Sequence, residues 1–216
     1  MTRKVTGKAL NGALLEEVGL DHEVVHLAIE QTYNLLDKVD ATLVAEGVFP
    51  LSQTVELANL SSMIGNIFAS ALANHSNGRF KRNGPHKYPD LLSADTKAYP
   101  DLELKMALER NKPKGHLAKP GYYITCRYVL CNTQGEPMFE KGNRGVTPYI
   151  WELRCGYLGE EHFAIRNTGG DSGKTAVVNK EGMIALKVVF LDIDRAPLSQ
   201  KGKVFAEYVS LLEAGD

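Results

Sequence analysis

Between residues 22 and 46, Val24, Val25, Leu27, Ala28, Leu35, Leu36, Val39 and Leu43 recur at the spacing that gathers apolar side chains on one side of a helix. Asp21 stands where a capping side chain belongs and Gly47 where the helix stops, so the pattern predicts one long helix between them. A shorter helix is expected over residues 8–19. After Pro50, Ser52 is placed to cap a third helix, in which Val55, Leu57, Leu60, Met63, Ile64, Ile67, Phe68, Ala71 and Leu72 form a stripe wide enough to be largely buried. Beyond residue 88 the period changes to two. Leu102, Leu104 and Met106 alternate with Glu103 and Lys105, and strands are expected there and over residues 122–130, 149–158, 163–166 and 186–193. Trp151 reads as core. Residues 177–186 follow neither period, and residues 203–212 make a final amphipathic helix.

Helices first and strands afterwards predict an α/β (α+β) fold with a central mixed β-sheet flanked by helices. With 216 residues, 44% of them hydrophobic, and neither repeat nor linker, the chain is expected to form a single domain. Residues 1–75 are its helical N-terminal region; residues 76–216 carry the sheet and the loops. Twenty-five basic against 26 acidic residues leave a net charge of −1, which excludes a generally basic surface and confines any polyanion contact to local clusters. Cys126, Cys131 and Cys155 lack metal-ligand spacing and read as reduced thiols. An apolar leader and a membrane-length apolar run are both missing, so a cytoplasmic protein without membrane contact is expected.

The chemistry is concentrated in Tyr88-Pro89-Asp90 and Leu102-Glu103-Leu104-Lys105. In a strand, Glu103 and Lys105 leave the same face, while Leu102 and Leu104 enter the core. Two carboxylates suit Mg²⁺, which takes one or two protein carboxylates and keeps several waters. A neighbouring lysine supplies what phosphodiester hydrolysis needs beside the ion: a group that orients water or stabilises the charge developing on phosphorus. The other reading makes Asp90 a turn residue and Glu103 and Lys105 a solvated strand face. Because Tyr-Pro-Asp recurs at residues 99–101, Asp95 and Asp101 rival Asp90 as the ligand.

These residues resemble the PD-(D/E)XK nucleases, whose best-populated branch is the Type II restriction endonucleases. Pro89-Asp90 matches the first element and Glu103-Leu104-Lys105 the second. The resemblance implies a restriction-endonuclease-like core with Asp90 and Glu103 as metal ligands and Lys105 as the catalytic lysine. It also implies Mg²⁺ as cofactor, with Mn²⁺ able to substitute, and site-specific hydrolysis of double-stranded DNA. The enzyme would be a homodimer in a prokaryotic restriction-modification system, its two-fold axis matching a palindromic site, with the first two helices as candidates for the dimer contact. Glu56, on the helix before the acids, is a candidate for a second ion; alternatively it is a solvated helix acid. Two other readings stand beside this one: a repair or structure-selective nuclease with the same triad, and a non-catalytic DNA-binding protein whose acids are structural.

Two basic segments bracket the acids. Residues 76–88 offer Arg79, Lys81, Arg82 and Lys87, and residues 110–120 offer Lys112, Lys114 and His116, as contacts to DNA phosphates. Residues 167–175 end in Gly173-Lys174-Thr175, but a nucleotide-binding P-loop needs glycine at position 168, where Thr168 stands, so no nucleotide cofactor is expected. Asn167, Asp171, Ser172, Lys174, Thr175 and Asn179 offer instead the donors and acceptors of a base-reading loop.

Overall fold

The computed structural model describes residues 2–115, 118–140, 143–167 and 174–215. In chain order, β1 (Lys8–Ala9) leads into α1 (Gly12–Glu17), α2 (His22–Ala45), α3 (Leu51–Thr54) and α4 (Leu57–His75). There follow β2 (Phe80–Arg82), β3 (Leu91–Ser93), β4 (Leu102–Leu108), β5 (Lys114–Gly115), β6 (Gly121–Cys131), β7 (Phe139–Glu140), β8 (Asn143–Arg144) and β9 (Thr147–Leu158). The chain ends with β10 (Phe163–Asn167), β11 (Lys174–Val178), α5 (Lys180–Ala185), β12 (Lys187–Leu191) and α6 (Lys203–Ala214). Among the described residues the main sheet has seven strands in the order β1-β12-β9-β6-β4-β3-β2. It is mixed, because β4 and β6 run parallel while its other neighbours run antiparallel. The fold is therefore of mixed α and β type.

The long helix begins where its cap was expected: the Asp21 carboxylate accepts a hydrogen bond from Val24 N–H at 2.8 Å. Three other expectations need correction. Residues 8–9 pair with β12 as a strand, and only residues 12–17 of the first segment are helical. Ser52 does not cap; its hydroxyl donates to the Val146 carbonyl. The third helix is also broken, since Val55 and Glu56 are extended and α4 starts at Leu57. Once started, α4 buries Leu60, Ile64, Phe68 and Leu72 as the stripe required.

One layer of α2 and α4 covers the apolar side of the sheet. Leu102, Leu104, Ile124, Cys126 and Leu153 join Phe68, Leu72, Ala28 and Tyr33 in the principal core, which also contains the fully buried Trp151. The opposite side of the sheet carries polar residues in register. Glu103 and Lys105 of β4 lie beside Tyr123 and Thr125 of β6, and Arg127 of β6 lies beside Glu152 of β9. Glu152 is 1% exposed. Arg127 Nη1 donates to its Oε1 at 3.0 Å, Arg154 Nε lies 2.9 Å from its Oε2, and the Tyr208 hydroxyl of α6 also donates to Oε2. Burial, reinforced by Glu152, pushes the Tyr208 phenol up to about 12.

Glu152 thus compensates two arginines beneath α6. Removing one partner of a buried network leaves charges unpaired at low dielectric, so Glu152→Ala is expected to cost about 3–5 kcal/mol. Urea denaturation of the two proteins measures this, and a loss below about 1 kcal/mol would show that the arginines find water or other partners.

Candidate active site

The site is built from one strand and the turn that meets it. Glu103 and Lys105 leave β4 on its polar side, and the Lys105 ammonium donates to Glu103 Oε1. Chain geometry alone sets this pairing, because residues two apart in a strand share a face. Asp90 arrives from the short β3 edge, immediately after the cis peptide between Tyr88 and Pro89. Its Oδ2 accepts a hydrogen bond from Leu104 N–H at 2.9 Å, so a side chain satisfies a β4 donor beside the single β3–β4 pair at Leu91 and Leu102. Asp90 Oδ1 faces Arg82 of β2, whose Nη1 is 3.8 Å away and whose Nη2 donates to Asn66 Oδ1 of α4 at 3.1 Å.

Asp90 and Glu103 are close enough to feel each other's charge. Burial pushes the Glu103 carboxyl up from its ordinary value; the Lys105 ammonium opposes this, and the Asp90 carboxylate adds to it. Two neighbouring carboxylates, one of them paired with a lysine, suit a hard divalent cation, which would relieve their repulsion and take oxygen ligands. Among the described residues, no group of three or more His, Cys, Asp and Glu side chains is placed to hold an ion. A cation here would rest on Asp90 and Glu103 and complete its shell with water or substrate oxygens. That ligand number fits Mg²⁺.

The rival acids serve the backbone. Asp101 Oδ1 accepts from Ser93 N–H at 2.7 Å, and Asp95 Oδ1 from Lys97 N–H at 3.0 Å. Glu56 is not brought to the site. It precedes the first turn of α4, ten residues before Asn66, and a rise of about 1.5 Å per residue sets the two roughly 15 Å apart along the axis.

The basic segments divide in the same way. Arg82 lies at the site. Arg79 turns toward the α1–α2 junction, where Nη1 is 3.4 Å from both the Gly19 carbonyl and Asp21 Oδ2. Lys81, Lys87, Lys112 and Lys114 are exposed, while His116 lies outside the described residues. Residues 163–167 and 174–178 pair as the antiparallel strands β10 and β11, and β11 pairs with β5 through Ala176–Gly115 and Val177–Lys114. The backbones of Asn167 and Lys174 close the described part of the hairpin, and Thr175 is half-buried opposite Arg166. Asp171 and Ser172 lie outside the described residues. Asn179 is spent as a cap, its Oδ1 accepting from Gly182 N–H at 2.8 Å. Lys174 and Thr175 continue as a strand, where a P-loop would open a helix.

Sequence reasoning missed what backs the lysine. A Cβ on Gly115 would stand 2.9 Å from Lys105 Cε and 3.3 Å from Nζ, so the bare backbone of β5 is what leaves Lys105 its place. Nothing in the run Lys114-Gly115-His116 signals this. Tyr88 and Tyr123 were also missed, although Tyr88 directly precedes the Pro-Asp pair and Tyr123 is the cross-strand partner of Glu103. Burial pushes both phenols up, and the Glu103 carboxylate adds to each.

The chain matches no family model and no curated protein.

A group whose pKa is raised by folding binds its proton more tightly in the native state, so stability falls as pH rises from the ordinary Glu value of 4.5 through the higher folded value. Glu103→Gln removes that loss. In metal-free buffer at neutral pH the variant is expected to melt above the wild type, with the difference vanishing below pH 4.5. Mg²⁺ is expected to raise the melting temperature of the wild type and leave Glu103→Gln unmoved. Scanning calorimetry reads both, and a variant that melts lower at neutral pH contradicts the electrostatic account.

Proposed function

We propose that this chain is a Mg²⁺-dependent endonuclease of the PD-(D/E)XK class, and within it a Type II restriction enzyme that hydrolyses phosphodiester bonds of double-stranded DNA at a fixed sequence. The observation that carries the reading is the convergence of Asp90, Glu103 and Lys105 on β4, with Asp90 hydrogen-bonded to the backbone of the residue between the other two. The site and not the fold carries the function, since mixed sheets flanked by helices host many activities.

In this reading Asp90 Oδ1 and the Glu103 carboxylate hold the ion, and Asp90 Oδ2 stays with Leu104 N–H and fixes the orientation of the carboxyl plane. A bound Mg²⁺ supplies polarisation of the scissile phosphate and a water of lowered pKa. Lys105, backed by Gly115, presents its ammonium where the attacking water is oriented and where negative charge grows on the phosphoryl oxygens. Arg82, which faces Asp90 Oδ1, is placed to pass from the carboxylate to a phosphate. The hairpin, tied to β5 through Ala176 and Val177, carries Thr175 within the proposed base-reading element.

A homodimer forms part of this proposal. Phe49, 71% exposed, lies with exposed Val44 and Val48 at the end of α2 and in the turn that follows, an apolar group that a second copy would cover. No helix among the described residues is long and apolar enough to cross a membrane. Such an enzyme would act on DNA in a prokaryotic cytoplasm.

Incubation with unmethylated phage DNA and Mg²⁺ is expected to give discrete fragments, and Lys105→Ala to lower the rate by at least about a hundredfold. A smear instead of fragments would point to a repair or structure-selective nuclease; uncut DNA bound by both proteins would point to a DNA-binding protein. Light scattering after size exclusion is expected to give twice the chain mass for the wild type and a shift toward monomer for Phe49→Glu, and a monomeric wild type at micromolar concentration would contradict the dimer.

A further inference from the structure

The two basic segments that flank the acids in sequence meet at one point in space. Tyr88 ends the first segment, and its hydroxyl donates to the Pro120 carbonyl, at the end of the second, at 3.0 Å. Lys119 Nζ lies 4.2 Å from the centre of the Tyr88 ring, within cation–π range. The Tyr123 hydroxyl donates to the Lys119 carbonyl at 2.7 Å, and Tyr123 is the register partner of Glu103 on the polar side of the sheet. Gly121 completes the clasp, because a Cβ there would come within 2.6 Å of the Tyr88 hydroxyl. Lys119 is thereby tied through two tyrosines to Asp90, which follows Tyr88 by two residues, and to Glu103.

The cations that touch the acids are already matched: Lys105 with Glu103 and Arg82 with Asp90. Lys119 differs from them, since among the described residues its ammonium has an aromatic ring and no carboxylate for a partner. A half-buried cation held in place, unneutralised, beside a site for phosphodiester chemistry has one obvious counter-ion. We infer that Lys119, seated on Tyr88, binds a phosphate of the nucleic-acid backbone at the mouth of the acid pair and positions the strand for cleavage. The inference rests on the nuclease reading, and Lys119 acts in it as a positioning residue. Preorganisation separates it from exposed Lys112 and Lys114, because Lys119 loses less side-chain freedom when the phosphate arrives.

The test is the binding of a fluorescein-labelled duplex of mixed sequence, followed by anisotropy across a salt series with Ca²⁺ in place of Mg²⁺. Each phosphate neutralised contributes about 0.9 to the slope of log affinity against log salt. Lys119→Met, which keeps the apolar stem over the ring, is expected to flatten that slope by about 0.9 and weaken binding about five- to tenfold near physiological salt, with its melting temperature unchanged. Lys119→Arg is expected to restore the slope. Wild-type binding with the same slope in Lys119→Met overturns the inference and leaves the nuclease reading standing; a wild type that does not bind duplex at all overturns both.

Discussion

Asp90 accepting the Leu104 N–H is the contact on which the geometry of the site depends. Strand β4 needs a partner on its outer edge, yet β3 pairs with it at a single position before the chain turns away at Pro89. The Asp90 carboxylate completes the edge in place of a backbone carbonyl. One oxygen is consumed by the sheet and the other faces Arg82. Since the donor belongs to the residue between Glu103 and Lys105, the three functional groups are brought together by one hydrogen bond between the turn and one strand.

A cost accompanies this arrangement. The side of the sheet that bears Glu103 and Lys105 is polar along its length, and it is covered by α6 and by the β10–β11 hairpin with α5. Toward α6 the polarity is matched internally, with Glu152 serving Arg127, Arg154 and Tyr208. Toward the site the match is incomplete, because Asp90 and Glu103 bring two carboxylates against the Lys105 ammonium and the more distant Arg82. Burial raises the Glu103 carboxyl, and the Asp90 carboxylate adds to it against the Lys105 ammonium; this is the kind of local stability loss expected where a fold reserves space for a ligand.

Most of the architecture was legible because its signals are local. Asp21 announces a helix start through a side chain that reaches Val24, and the two-residue period of β4, β6 and β9 survives because each strand separates a helix-covered apolar side from a polar one. The first turn of α4 was misread because Ser52 is as good a cap as Asp21 by composition; its hydroxyl is claimed by Val146, nearly a hundred residues away in sequence. At the site, the Glu103–Lys105 relation follows from strand geometry alone. The choice of Asp90 over Asp95 and Asp101 does not, since Asp101 follows a proline as Asp90 does, Asp95 stands between them, and only tertiary pairing shows which carboxylate reaches β4. The roles of Gly115, Tyr88 and Lys119 were illegible for a similar reason: each depends on a contact between segments that no period in the sequence connects.

The central claim is that Asp90 and Glu103 hold one divalent cation in common, and a crystal structure with Mn²⁺ tests it most directly. The account predicts an anomalous-scattering peak bonded to both carboxylates, with the Lys105 ammonium drawn off Glu103 and Asp90 still accepting from Leu104 N–H. A peak elsewhere, or none, with the Lys105–Glu103 pair intact at saturating Mn²⁺, would contradict it.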